Sequence, residues 1–188
     1  MKKYIIIFFA VLCISVPQLS AQRYLPGMRG LQLTAGTVNG LNSQEGFHAG
    51  MALATYTKRA DRWVFGVEYL EKRFSYKDLT IPQSQFTVDA GYYLKFLSDW
   101  KKTFFVSAGA SAVAGYESVY RNNKLLPDGA TINNGDAFLY GAAFTVELET
   151  YIIDRLVLLA NVRERFLMGS SVGKLNTQFG IGIRIMII

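Results

Sequence analysis

Few residues in this chain are equipped for chemistry. His48 is the only histidine, so a multi-histidine metal site is ruled out. It could still act as a general base if a serine stood beside it, with Ser43 or Ser170 as the nucleophile. It falls at the outer end of the second strand candidate, Phe47–Thr57, where some small outer-membrane lipid-modifying enzymes keep a catalytic histidine. The plainer expectation for His48 is a polar residue at a barrel rim. Glu147 and Glu149 form a second grouping, two carboxylates two residues apart that resemble an acid/base pair. The same spacing puts both on one face of a strand. There they are expected to neutralise Arg163 and Arg184 as a structural plug. No GxSxG, P-loop, HExxH or EF-hand pattern occurs. The single cysteine, Cys13, lies in the first segment, which leaves no disulfide and no thiolate site downstream. No catalytic residue, cofactor site or metal site is expected.

The elements that must carry these residues are strands. Thr177–Ile188 places Phe179, Ile181, Ile183, Ile185 and Ile187 on one parity, with Gln178, Gly180, Gly182, Arg184 and Met186 on the other. Strict alternation puts every bulky apolar group on one face. A soluble edge strand so apolar would aggregate. A membrane barrel tolerates it, with the apolar face to lipid, the small and polar face to the lumen, and the edge paired to the first strand.

Seven further stretches read the same way: Gly30–Val38, Phe47–Thr57, Trp63–Tyr76, Gln83–Leu97, Thr103–Tyr120, Asp136–Ile152 and Arg155–Leu167. The connections Lys58–Arg62, Ser98–Lys102 and Ile153-Asp154 are short. Asn39–Gly46, Lys77–Pro82, Arg121–Gly135 and Met168–Asn176 are longer. Short turns alternating with longer loops predict an up-and-down, all-β, antiparallel outer-membrane barrel of eight transmembrane strands. Trp63 and Trp100 fall at the short turns, where a periplasmic aromatic girdle belongs. Glu68, Asp89, Lys95, Glu147, Glu149, Arg163 and Arg184 share the small-residue parity and are expected to form a charge network inside the barrel. Glu71, Arg73 and Glu164 break that parity and are expected above the lipid.

Composition agrees. Apolar residues make up 51% and aromatics 14% of 188 residues, with 17 glycines and 4 prolines, a profile that excludes disorder. Residues 1–21 read as a secretory signal peptide, with Lys2 and Lys3 ahead of an apolar core from Tyr4 to Val16 and cleavage after Ala21. The barrel domain then spans residues 22–188. Loss of Lys2 and Lys3 lowers the formal charge of +6 to +4. The basic balance lacks any long Lys/Arg run, so direct nucleic-acid binding is not expected. The expected location is the outer membrane, reached through the periplasm.

Four segments carry a family resemblance: AQRYLPGMRG (21–30), RWVFGVEYLEK (62–72), GYYLKFLSD (91–99) and LLPDGA (125–130). In these the chain resembles the TraO family of Bacteroides-type conjugative transposons, across essentially the whole mature sequence. The resemblance implies a role in conjugal DNA transfer alongside other transfer proteins. It brings no catalytic residues. Periodicity alone leaves a stand-alone barrel for adhesion or envelope integrity equally open.

Overall fold

The computed structural model describes residues 26–40, 46–57, 59–76, 79–100, 103–119, 136–170 and 174–187. The proposed leader (residues 1–21) and the long loop at 121–135 lie outside them.

Eight strands form one closed sheet: β1 (Arg29–Val38), β2 (Gly46–Tyr56), β3 (Arg62–Tyr76), β4 (Leu79–Ser98), β5 (Phe104–Val119), β6 (Ala137–Ile153), β7 (Leu156–Met168) and β8 (Leu175–Ile187). Every strand pairs antiparallel with its sequence neighbours. The β1–β8 ladder, from Arg29↔Ile187 to Val38↔Gln178, closes the ring. Closure leaves no edge, so each strand satisfies its backbone groups on both sides, as an apolar solvent requires.

The stagger of the barrel follows from the register. Starting at Met168 on β7, the partners run Tyr140, Ala114, Val88, Val67, Met51, Leu33 and Ile183, and return to β7 at Leu158, ten residues lower. Such a shear tilts the strands by roughly 35–45° and leaves an interior that side chains can fill.

Alternation decides what fills it. Outward-facing Met51, Phe65, Val88, Phe144 and Ile181 are each about half exposed or more, and together with their neighbours they make an apolar outer wall. The inward parity combines large polar groups with glycines that make room for them. A Cβ on Gly109 would sit 2.5 Å from the Tyr93 ring, and one on Gly36 would meet His48 Nε2 at 2.6 Å. Two apolar clusters line the lumen. Tyr56, Tyr93, Phe105, Tyr151 and Met186 lie at the end with the short turns, and Val113, Leu139 and Leu167 toward the other. Among the described residues no helix is long and apolar enough to cross a membrane.

Three sequence expectations need correction. Within the expected loop Lys77–Pro82, residues Leu79–Pro82 are strand: β3 and β4 pair up to Tyr76↔Leu79, with Pro82 opposite Arg73. Among the described residues β5 joins β4 from Gln83↔Val119 onward. Pro82 lies just outside that ladder, in the part of β4 that among the described residues pairs with β3 alone, where a proline is tolerated. Only residues 77–78 separate β3 from β4, so this connection does not follow the short–long alternation. Second, Met168 belongs to β7, and Leu175 and Asn176 to β8. Third, Arg62 is the first residue of β3, paired with Tyr56 and Tyr93, and not part of a turn.

Candidate functional site

The lumen holds two ionic storeys. The lower one, at the turn end, is built from the start of β3, the end of β6 and the end of β8. Arg62 reaches Glu147 at 2.6 Å and Glu149 at 2.5 Å. Arg184 reaches Glu147 at 2.6 Å and Glu149 at 2.9 Å. Each guanidinium thus bridges both carboxylates, and all four side chains are at most 2% exposed. Arg184 also donates to the Tyr56 hydroxyl at 2.6 Å and to Gln32 Oε1 at 2.8 Å. Gln32 Nε2 in turn donates to Glu147 at 3.2 Å. Arg62 donates to Ser107 Oγ at 3.1 Å, and its guanidinium lies 4.9 Å from the Tyr93 ring centroid. Buried charges persist only when paired and hydrogen-bonded, and this storey meets both conditions.

The upper storey joins β2, β3, β4, β7 and β8. Glu68 accepts from Arg165 Nη1 and Gln178 Nε2, both at 2.7 Å, and lies 3.6 Å from Arg163. Arg163 reaches Asp89 at 3.2 Å and Ser111 Oγ at 3.2 Å. Like the lower storey, it sets two guanidiniums against two carboxylates. Between the storeys lies a cavity of about 40 Å³, bordered by Gln32, Glu68, Asp89, Thr145, Glu147 and Arg163. That is room for roughly three waters. Nearer the loop end, Glu117 accepts from Gln85 at 2.9 Å and Ser170 at 2.8 Å, and Lys72 donates to Asn176 Oδ1.

Of the seven interior charges expected from the sequence, Glu68, Asp89, Glu147, Glu149, Arg163 and Arg184 come together in these storeys. Lys95 does not. Lys95 keeps the inward parity, opposite Ser107, and the β4–β5 register shifts only after it; the residue lies beyond the β3–β4 ladder, which starts at Arg62↔Tyr93. Its backbone N–H donates to Asp61 at 3.0 Å, and its ammonium lies 5.9 Å from the Phe105 ring. The partner assignment also changes. Glu147 and Glu149 neutralise Arg184 together with Arg62, whereas Arg163 belongs to Glu68 and Asp89. Arg62 and Arg165 were missed, although each shares the parity of a residue that was named: Arg62 that of Glu68, and Arg165 that of Arg163.

His48 is not a rim residue. It is 3% exposed, with Nδ1 3.7 Å from Glu68. Its ring nests over Gly36 and Gly180. Ser170 bonds to Glu117, and Ser43 lies outside the described residues. Among the described residues no group of three or more acidic, histidine or cysteine side chains could hold a metal. Trp63 faces outward at the turn end, 48% exposed and 4.9 Å from the Tyr92 ring, and Trp100 projects from the β4–β5 turn at 98% exposure.

A family model described as "Conjugative transposon protein TraO" matches residues 25–187. No curated protein sequence matches the chain. Among solved structures, it is similar to Neisserial surface protein A at 16% identity and a TM-score of 0.59, covering 84% of this chain and 96% of that one. The N-terminal β-barrel domain of Pseudomonas aeruginosa OprF is similar at 12% identity and a TM-score of 0.52, covering 86% and 98%. Ail, the attachment invasion locus protein of Yersinia pestis, is similar at 10% identity and a TM-score of 0.50, covering 85% and 95%. At such identities the shared property is the barrel fold.

Proposed function

The chain belongs to the family of the conjugative transposon protein TraO, and from that membership we propose that it is an outer-membrane barrel component of a conjugative-transposon DNA transfer apparatus. Its role is structural or assembly-related, without catalysis. The family match over nearly the whole chain carries this reading. The apolar outer wall, which suits lipid, and the Lys2/Lys3 leader, which suits export through the periplasm, support it.

The lumen limits the mechanism. Two closed ionic storeys, with an apolar cluster at the turn end, leave a cavity of about 40 Å³ between them. Neither a DNA strand nor a pilus fits through one such chain. The barrel then acts from its loops, its periplasmic face or its outer wall, in contact with other transfer proteins and with outer-membrane lipid, and without binding nucleic acid itself. His48, held inside the lumen beside Glu68, serves packing and charge balance.

Deletion of the gene in a donor tests this. Transfer frequency should collapse while envelope permeability stays unchanged. Normal transfer with a leaky envelope would instead identify a stand-alone envelope barrel.

A further inference from the structure

One charge on the outer wall is out of place. The outward-facing residues of β7 run Val162, Glu164, Phe166 and Met168, and the three apolar ones are 46%, 42% and 43% exposed. Glu164 therefore lies within the apolar band and not above it, contrary to the sequence expectation. Its cross-strand neighbours are Phe144 on β6, 55% exposed, and Thr177 on β8. On the loop side of Thr177 stands Leu175, 61% exposed. Thr177 Oγ1 donates to Glu164 Oε2 at 2.6 Å. The pair is a polar notch in a wall otherwise built for lipid.

An ionisable group at membrane depth normally faces the protein interior and finds a partner there. Here the four lumen-facing arginines are already committed to Glu68, Asp89, Glu147 and Glu149. One hydroxyl is a thin replacement for the hydration a carboxylate loses. Below the notch the wall also has relief. Ile181 is 70% exposed because its two neighbours across the sheet are Ala35 and Ala160. A side chain standing clear of two alanines offers a knob to an opposing segment.

We propose that Glu164 and Thr177 form a docking point in the lipid-facing wall for a membrane-embedded segment of a partner protein that carries a lysine or arginine at that depth. This rests on the transfer reading for the partner's identity, which would then be another transfer protein. A second copy lacks the required base: among the described residues, the outward-facing Arg29 and Arg73 sit at the two ends of the wall.

The test is site-specific photocrosslinking in donor cells, with benzoylphenylalanine replacing Val162 and, as control, Phe65 on another part of the wall. Heat-modifiable gel mobility confirms that every variant has folded. The expected adduct forms at position 162 and not at 65. Mass spectrometry should place it on a membrane-spanning segment bearing Lys or Arg. Its yield should fall on the order of tenfold with Glu164→Leu, the factor a charge-assisted hydrogen bond supplies. Glu164→Asp should retain it. Glu164→Lys should lose it and regain it when the partner's base is changed to Glu. An adduct to a second copy, an adduct to lipid alone, or a yield indifferent to Glu164→Leu would each overturn the proposal. A Glu164-dependent adduct to a protein unconnected with transfer, in a strain whose deletion transfers normally, would retire the transfer reading and leave the docking point standing.

Discussion

Removing Glu147 should damage the barrel far more than its single charge suggests. The Glu147 carboxylate takes one contact from each arginine, at 2.6 Å from both Arg62 and Arg184, and a third from Gln32. In Glu147→Ala both guanidiniums keep Glu149 as their one counter-charge, and the buried storey passes from neutral to one net positive charge. Breaking a buried pair by deleting one partner costs about 3–5 kcal/mol. The double change Glu147→Ala/Glu149→Ala leaves two buried arginines without a counter-charge. Its cost should exceed either single change without reaching their sum, because the groups share partners. Replacing all four members with apolar residues of similar size should, in contrast, be neutral or stabilising, since the desolvation of four charges disappears with them. The assay is urea unfolding of the refolded barrel in phospholipid vesicles. It is followed by the fluorescence of Trp63 and Trp100 and by heat-modifiable gel mobility. Stability of Glu147→Ala within about 0.5 kcal/mol of the parent, the range of an ordinary surface change, would refute the closed-ring account.

Three further outcomes are expected. In planar bilayers the purified barrel should show little or no steady conductance, and large stable pores from the monomer would contradict a plugged lumen. Ala112→Arg, on the outward parity between Ala90 and Ala142, should cost about 2–4 kcal/mol in vesicles; a negligible cost there would mean that this wall does not face lipid. His48→Ala should leave conjugation near the parental frequency with the barrel still assembled, and loss of transfer from a correctly folded variant would revive a catalytic histidine.

The barrel was legible in the sequence because a strand's two faces are fixed by parity alone. Phe179 to Ile187 had to share a side whatever the rest of the chain did, and Glu68, Glu147 and Arg184 had to share the other. Strand number and closure followed from repeating that argument. Parity, however, says which side a residue faces and not what stands opposite it. Arg62 could be assigned to Glu147 and Glu149 only after the stagger brought the start of β3 level with the ends of β6 and β8 across the lumen. The same stagger carried Arg163 to Glu68 and Asp89, and it left Lys95 beyond the start of β3, outside the set. Leu79–Pro82 was read as loop because its strand state comes from pairing with Arg73–Tyr76 of β3, a fact of the neighbouring strand. Glu164 was misplaced for a related reason: height in a tilted barrel is set by shear, so a residue late in its own strand can still lie below Leu175 of the next. The sequence by itself determined the face of each side chain, and the register of the closed sheet decided depth and partner.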